Sequence, residues 1–215
     1  MILNNSVNTE EHIIAAASGL FCKFGMKSVA MDNIARECGM SKKTLYQYFT
    51  DKATLINRVV QEIAAHHQAK LEEAKLVSSN VIEEVFNEFK IYVSALHDMH
   101  AVFFYELEKS FPDSWNFLVQ LNNEYGYPFV VSNLNRGVSE GFYRSDLDIA
   151  ATADIRMSQL RLMVTRNIHF VEARNILNDP DQVNLFYLHA ITTPEGKEMM
   201  NKILKEHREK NGHQL

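Results

Sequence analysis

The segment MDNIARECGMSKKTLYQYFTDK, residues 31–52, decides how the rest of the chain is organised. A short helical pattern with Ile34 and Ala35 on one face is interrupted at Gly39, and a second short helix is predicted from Lys42 to Phe49. The first helix must end at Gly39, because glycine adopts the left-handed conformation of a helix C-terminus at little cost. Two short helices joined by a three- or four-residue turn with glycine predict a helix-turn-helix.

The second of these helices has an apolar face and a polar face. Leu45 and Phe49 are four residues apart and are predicted to face the core, while the Ser41 hydroxyl is placed to cap the helix. The outward side carries side chains that bind phosphates and read base edges in nucleic acids. The predicted DNA-binding residues are Ser41, Lys42, Lys43, Thr44, Tyr46, Gln47, Tyr48 and Lys52.

These predicted contacts divide into two kinds. Those assigned to phosphates are Lys42, Lys43, Tyr48 and Lys52. Those assigned to base edges or the groove wall are Thr44, Tyr46 and Gln47, and a glutamine can pair with adenine through two hydrogen bonds. Tyr46 has a second interpretation as a half-buried core residue, since it adjoins Leu45. An ordinary helical hairpin is the alternative interpretation of the whole motif.

The run IARECGMSKKTLYQYFTDKATL, residues 34–55, resembles the DNA-binding domain of the TetR family of transcriptional regulators. The recognition helix of that family carries a Thr-Leu-Tyr-x-x-Phe core, and a lysine follows at the head of the next helix. The matching positions here are Thr44, Leu45, Tyr46, Phe49 and Lys52. Two positions depart from the family pattern: Ala30 replaces a capping Ser or Thr, and Lys43 replaces a frequent glycine.

This resemblance implies both an architecture and a function. We expect an all-α protein with a helix-turn-helix DNA-binding domain at residues 1–55 and a helical ligand-binding and dimerisation domain at residues 56–215. The implied function is a transcriptional regulator that binds palindromic, double-stranded operator DNA as a homodimer and is released by a small-molecule effector. Repression is the default expectation, and activation stays open.

Whole-chain composition is compatible with this interpretation. The chain has 215 residues, 46% of them hydrophobic and 23% charged, and its two cysteines imply no disulfide framework. No apolar run approaches the roughly 18 residues of a membrane span, and the N-terminus lacks a secretory pattern. We therefore predict a cytoplasmic protein without a membrane partner. The net charge of −5 divides into +2 for residues 1–60 and −7 beyond, which places phosphate affinity at the N-terminal end.

Helical periodicity continues to the end of the chain, and no strand pattern of period two occurs. Asp51 is predicted to cap a helix from Lys52 to about Lys75, which is long enough to leave the first domain and enter the second. Further helices are predicted from Val81 towards Phe111 and, capped by Asp148, from Ile149 to about Glu172. The pattern predicts roughly nine or ten helices in total.

The second domain is rich in aromatic residues and methionine, most of which are expected to form its core. The family resemblance implies that a pocket for a small, apolar effector lies among them, since pockets form between the helices of bundles. The predicted pocket residues are Phe86, Phe89, Met99, His100, Phe103, Phe104, Trp115, Tyr125 and Phe129.

Two helices near the C-terminus are apolar on more than one face. A helix of that kind needs more than one partner, and pairing with the same helices of a second subunit provides it. The family resemblance implies the same homodimer. The alternative is a monomer in which these helices are central. The predicted interface residues are Leu160, Met163, Phe186 and Leu188.

Catalytic and metal sites find little support in the sequence. His97 and His100 are three residues apart and Glu106 follows, but a zinc site needs three or four ligands in fixed geometry, so no metal or other cofactor is predicted. No phosphate-binding glycine loop or nucleophile motif occurs, and we predict that the protein is not an enzyme. The alternative function is a helical small-molecule or metal-binding protein whose N-terminal domain does not bind DNA.

Overall fold

The structure is a computed structural model that describes residues 2–97, 99, 102–169 and 180–211, with side chains for residues 9–95, 99, 102–163 and 181–206. In this part of the chain every regular element is helical, apart from an isolated β-bridge, so the all-α prediction is confirmed. The helices are α1 (Ile2–Phe24), α2 (Met31–Glu37), α3 (Lys42–Tyr48), α4 (Lys52–Val77), α5 (Val81–His97), α6 (Phe103–Ser110), α7 (Pro112–Leu121), α8 (Tyr127–Ser139), α9 (Ile149–His169), α10 (Pro180–Ile191) and α11 (Pro194–Asn211).

Capping interactions set the helix ends around the helix-turn-helix as predicted. Gly39 has a φ of +65°, and the N–H of Met40 donates to the Ala35 carbonyl at 2.9 Å, which closes the end of α2. The Ser41 hydroxyl accepts the Thr44 N–H at 3.1 Å and so caps α3. The predicted Asp51 cap of α4 is also confirmed, since its carboxylate accepts the Thr54 N–H at 2.8 Å.

The N-terminus of α2 keeps half of a reciprocal cap although Ala30 has no side-chain acceptor. The Asn33 side-chain oxygen accepts the Ala30 N–H at 2.8 Å. In a complete capping box a serine or threonine hydroxyl would accept a second N–H in return. The departure of Ala30 from the family pattern therefore removes one of the two hydrogen bonds and leaves the helix start defined.

The single helix predicted from Val81 to Phe111 is wrong. The structure ends α5 at His97 and begins α6 at Phe103. Neither proline nor glycine marks this break in the sequence. Phe103 and Leu107 of α6 are almost completely buried in the core beneath the helix-turn-helix, so tertiary packing favours a separate helix.

The connection between α7 and α8 is also helical. One π-helical turn, Asn122–Gly126, joins α7 to α8. Pro128 lies in the first turn of α8, where its missing N–H breaks no helical hydrogen bond.

The helices divide into two compact units. The first contains the chain up to Ala69, the segment Ser94–Leu121 and a short piece that begins at Val164. The second contains Lys70–Val93, Asn122–Met163 and the described chain from residue 180 onwards. The first unit thus includes α6 and α7 as well as the helix-turn-helix, and the domain boundary between residues 55 and 56 stays a prediction.

Each unit has its own hydrophobic core. In the first, side chains from α1, α2, α3, α4 and α6 pack together, with Ile13, Phe21, Ile34, Leu45, Leu55 and Phe103 almost fully buried. In the second, α5, α8, α10 and α11 supply Ile82, Phe86, Leu134, Leu188 and Met200. Burying one such side chain stabilises the fold by about 1.5–3 kcal/mol. No helix in the described ranges is long and apolar enough to cross a membrane.

Candidate nucleic-acid interface and polar cavity

The helix α3 presents one polar face because its apolar face is anchored in the first core. Leu45 is completely buried, and Phe49 directly after the helix is nearly so. Lys42, Lys43 and Gln47 are exposed on the other side. This arrangement has the polarity of a recognition helix, and the contacts with DNA themselves stay a prediction.

Two of the lysines on this surface have different surroundings. The Lys42 ammonium lies 2.7 Å from the Asp32 carboxylate of α2, with both side chains exposed, and this hydrogen bond raises the pKa of Lys42. Its Nζ is also 6.0 Å from the centre of the Tyr46 ring. No ion pair holds Lys43 within the described part of the chain. Lys42 must therefore leave Asp32 to bind a phosphate, whereas Lys43 needs no such exchange.

The two tyrosines of α3 differ in burial. Tyr46 is 40% exposed, so its half-core interpretation does not describe the structure. Tyr48 is the tyrosine that lies partly buried against the first core. The Thr44 hydroxyl pairs with the Ser41 hydroxyl at 2.8 Å, which fixes both side chains at the start of the helix.

Lys52 points inward rather than freely into solvent. Its ammonium is 3.5 Å from the Lys27 carbonyl, and partial burial lowers its pKa while the Glu106 charge acts in the opposite direction. The buried Glu106 carboxylate accepts the N–H of the same Lys27 at 3.0 Å. Sequence reasoning missed this role of Glu106, because its partner lies 79 residues away and no local pattern encodes the contact.

The residues predicted to line an effector pocket fall into both units. Those that pack with the first core are Met99, Phe103, Phe104 and Trp115. Those in the second unit are Phe86, Phe89, Tyr125 and Phe129. His100 lies outside the described residues. Only Phe129 of this set lines the cavity that the structure describes, and the other pocket assignments stay predictions.

A small cavity in the second unit has a volume of about 10 Å³, which is room for about one water molecule. One part of its wall is apolar, and another carries carboxylate, guanidinium, amide and phenol groups. The lining residues are Glu84, Val85, Glu88, Phe129, Val130, Asn133, Arg156 and Tyr187. The sequence analysis did not identify the charged residues, because single carboxylates and arginines on amphipathic helices usually face solvent.

Arg156 is the centre of this polar wall and is completely buried. Its guanidinium donates to the Glu88 carboxylate and to the Asn184 side-chain oxygen, at 3.1 Å each, and lies 4.6 Å from the centre of the Tyr187 ring. Burial raises the pKa of Glu88, and the charge of Arg156 opposes that shift. The Arg156 Nε and the Asn184 Nδ2 are buried without a hydrogen-bond partner, so two donors are available at this site.

A second buried carboxylate adjoins the same cavity. The Glu84 carboxylate accepts hydrogen bonds from the Arg136 guanidinium at 2.6 Å and from the Asn133 amide at 3.1 Å. The Tyr143 hydroxyl donates to the Asn133 side-chain oxygen at 3.0 Å. Two carboxylates therefore face two guanidinium groups, and the cluster has no net charge when all four are ionised.

Three of the four predicted interface residues are already covered within the chain. Leu160, Met163 and Leu188 are buried inside one subunit, because each packs inward from its helix. A partner subunit can reach Phe186, which is 75% exposed, and the structure adds Ile155 and Leu162, exposed by 66% and 64%. Ile155 and Leu162 are seven residues apart and so lie on one face of α9. The homodimer itself stays a prediction.

The side chains of His97 and His100, the histidine pair considered in the sequence, are outside the described residues, as is the backbone of His100. Among the residues that were described, no group of three or more His, Cys, Asp or Glu side chains is arranged to hold a metal ion.

Comparison with known proteins identifies relatives of both the motif and the fold. Residues 13–59 match the family described as bacterial regulatory proteins, tetR family. The transcriptional repressor KstR2 of Mycolicibacterium smegmatis is 22% identical over 142 residues, which cover 65% of this chain and 69% of that protein.

Solved structures extend the similarity of fold to most of the chain. A TetR-family regulator from Agrobacterium tumefaciens superposes with a TM-score of 0.69 at 18% identity, covering 86% of this chain and 98% of that one. FadR of Bacillus subtilis, solved in complex with stearoyl-CoA, gives a TM-score of 0.65 at 18% identity, covering 83% and 97%. At these identities the structures show a common fold.

Proposed function

We propose that the chain, whose residues 13–59 match the tetR family of bacterial regulatory proteins, is a transcriptional repressor that binds palindromic operator DNA as a homodimer and is released by a small-molecule effector. The observation that carries this proposal is the polar face of α3, which holds exposed Lys43 and Gln47 over the buried Leu45. The proposal includes no catalytic step. Its target is chromosomal DNA, which places the protein in the cytoplasm.

The proposed complex places α3 of each subunit in a major groove. Two such helices read half-sites about one helical turn apart, so the operator is expected to share the two-fold symmetry of the dimer. Lys43 contributes phosphate affinity that does not depend on sequence, and Gln47 contributes base recognition. Lys42 joins the phosphate contacts after it exchanges Asp32 for DNA.

The proposed dimer uses the exposed apolar face of α9 and α10. Ile155, Leu162 and Phe186 leave three large hydrophobic side chains in water in the isolated chain, and pairing with a second copy removes them from solvent. Phe186→Asp is expected to shift the dimer towards monomer in sedimentation velocity. Leu76→Asp is the matched control, since Leu76 is 83% exposed on α4, outside this face.

The proposed effector site is the polar cavity of the second unit. Val85, Phe129 and Val130 offer an apolar wall, and the Arg156 Nε offers a buried donor without a partner. A mostly apolar effector with an uncharged acceptor oxygen suits this lining, because the cluster already balances its charges. The cavity volume of about 10 Å³ is far below the about 300 Å³ at which typical ligand sites begin, so binding requires the second unit to open.

Effector release follows from differential binding. An effector lowers DNA affinity only if it binds the DNA-free conformation more tightly than the DNA-bound one. The open form of the cavity is therefore proposed to belong to the conformation with low DNA affinity. An Arg156 variant is expected to bind DNA and to lose its response to the effector, provided that it folds.

The first experiment is selection of bound duplexes from a random library at physiological salt. Enrichment of a palindrome with half-sites about one helical turn apart supports the proposed dimeric regulator. Weak binding that disappears on adding salt, with no enriched sequence, contradicts it and favours the alternative of a ligand-binding protein.

Two substitutions then separate phosphate contacts from base contacts. Lys43→Ala is expected to weaken binding to every sequence and to reduce the salt slope of log K by about 0.9. Gln47→Ala is expected to relax preference at one base pair while leaving that slope unchanged. Equal loss of affinity on all sequences for both variants would mean that these roles are assigned wrongly.

A further inference from the structure

Two side chains that are distant in the sequence contact the backbone of the same residue, Lys27, between α1 and α2. The Glu106 carboxylate of α6 accepts the Lys27 N–H at 3.0 Å. The Lys52 ammonium, at the start of α4, lies 3.5 Å from the Lys27 carbonyl, which is a long contact that is easily exchanged. Lys27 thus brings a carboxylate of α6 and a predicted phosphate ligand into the same small region of the first unit.

The surroundings of Glu106 favour a nearby cation. Glu106 is only 8% exposed, and a buried carboxylate is costly unless it is hydrogen-bonded or paired. Gly25, with a φ of +80°, leaves room for it, since a Cβ atom there would lie 3.1 Å from Glu106 Oε2. The charge of Glu106 supports ionised Lys52 against the effect of its partial burial on the pKa.

We propose that the Glu106 carboxylate competes with DNA phosphate for the Lys52 ammonium, so that a residue of α6 limits the DNA affinity of the helix-turn-helix. This inference rests on the proposed DNA-binding function. In the DNA-free protein the Lys52 ammonium contacts the Lys27 carbonyl within range of the Glu106 charge, without a direct ion pair between the two side chains. Binding to phosphate requires Lys52 to leave that position, and the lost attraction to Glu106 subtracts from the affinity for DNA.

The other lysines of the surface provide internal comparisons. Lys42 is held by Asp32, but that pair is exposed on both sides, so water and salt screen it. Lys43 is exposed, and the described residues offer it no ion pair. Glu106 differs from Asp32 because it is buried and lies on a helix outside the helix-turn-helix.

The test is a double-mutant cycle with Glu106→Gln and Lys52→Ala, using fluorescence anisotropy with a duplex of mixed sequence at low salt. Glutamine keeps an oxygen that can accept the Lys27 N–H and removes the charge. Glu106→Gln is expected to tighten DNA binding about two- to fivefold, the range of a partly exposed ion pair. In the Lys52→Ala background the same substitution is expected to leave the affinity unchanged.

Glu108→Gln is the matched control for the loss of one negative charge from α6. Glu108 is partly exposed and lies 3.6 Å from Lys109, so it has no access to Lys52 through the Lys27 peptide. The control is expected to change DNA affinity less than Glu106→Gln and to show the same change with or without Lys52. Far-UV circular dichroism and thermal melting establish that each variant is folded.

Several outcomes would overturn the inference. These are an unchanged affinity in Glu106→Gln, an equal gain in the Lys52→Ala background, or an equal gain in Glu108→Gln. Absence of DNA binding by the wild type and all variants would instead contradict the proposed function. If Glu106→Gln does not fold, Lys52→Ala and Lys43→Ala are compared in the wild type. A smaller loss of affinity for Lys52→Ala supports the competition, and an equal or larger loss overturns it.

Discussion

The two units of the chain bury charge in different ways. Among the described residues buried in the first unit, Glu106 is the only charged one, and its neighbours are mostly apolar side chains from the helix-turn-helix and α6. In the second unit Glu84, Glu88 and Arg156 are all buried, and hydrogen bonds connect them to other polar residues. The first unit has a mostly apolar core, whereas the second contains a polar cluster inside its core.

This difference has an energetic consequence. A buried ion pair contributes little net stability, because the cost of desolvating two charges offsets their attraction. Removing one partner is costly, since the other charge is then left buried. The second unit therefore contains a cluster that adds little net stability, although removal of any one of its charges is costly.

The largest effect is expected for Arg156→Met. The substitution leaves Glu88 without its ion pair and is expected to lower the free energy of unfolding by about 3–5 kcal/mol in urea denaturation. Arg144→Met is the control, because its 3.7 Å pair with Asp146 is exposed and is expected to contribute less than about 1 kcal/mol. Similar losses of unfolding free energy for the two variants would show that the buried ion pair of Arg156 is no more important for stability than the exposed pair of Arg144.

The next largest effect is expected for Gly137→Ala, which tests packing in the second unit. A Cβ atom on Gly137 of α8 would lie 2.0 Å from Cδ2 of Tyr143, whose hydroxyl is fixed by Asn133 and by the Val81 carbonyl. Gly137→Ala is therefore expected to destabilise the protein by about 1–3 kcal/mol, measured by urea denaturation. A neutral or stabilising result would show that Tyr143 moves freely and that this core is loosely packed.

A smaller effect is expected at the turn of the helix-turn-helix. Gly39→Ala meets no atom within 4 Å, so its cost arises only from the positive φ of +65° and is expected to be about 1–2 kcal/mol. Gly39→Asn is expected to cost less, because asparagine tolerates this conformation better. Thermal melting of both variants checks this order, and equal losses would contradict the conformational explanation.

The smallest effect has the opposite sign. Gly19 lies within α1, is exposed, and has no atom within 4 Å of a Cβ position. Gly19→Ala is expected to stabilise the protein by about 0.5–1 kcal/mol, since alanine loses less backbone entropy in a helix. A destabilised Gly19→Ala variant in the same melting experiment would show that α1 packs against a surface that the isolated chain does not display.

Local sequence predicted the first unit better than the second. The turn at Gly39 and the caps at Ser41 and Asp51 depend on residues no more than six positions apart, and all three were confirmed. The break between α5 and α6 was missed, because burial of Phe103 in the first core sets it rather than a helix-breaking residue. The sequence also did not distinguish exposed from buried residues on α10, since Phe186 is 75% exposed whereas Leu188 is completely buried.

The sequence by itself determined the helical class, the helix-turn-helix and the polar face of α3, because each depends on the spacing of neighbouring residues. Only the tertiary structure placed Glu106 beside Lys27 and Arg156 beside Glu88, contacts that join residues 79 and 68 positions apart. Such contacts depend on how separate helices pack, and the attraction between two charges is specified by their distance and burial in the folded chain rather than by their positions in the sequence.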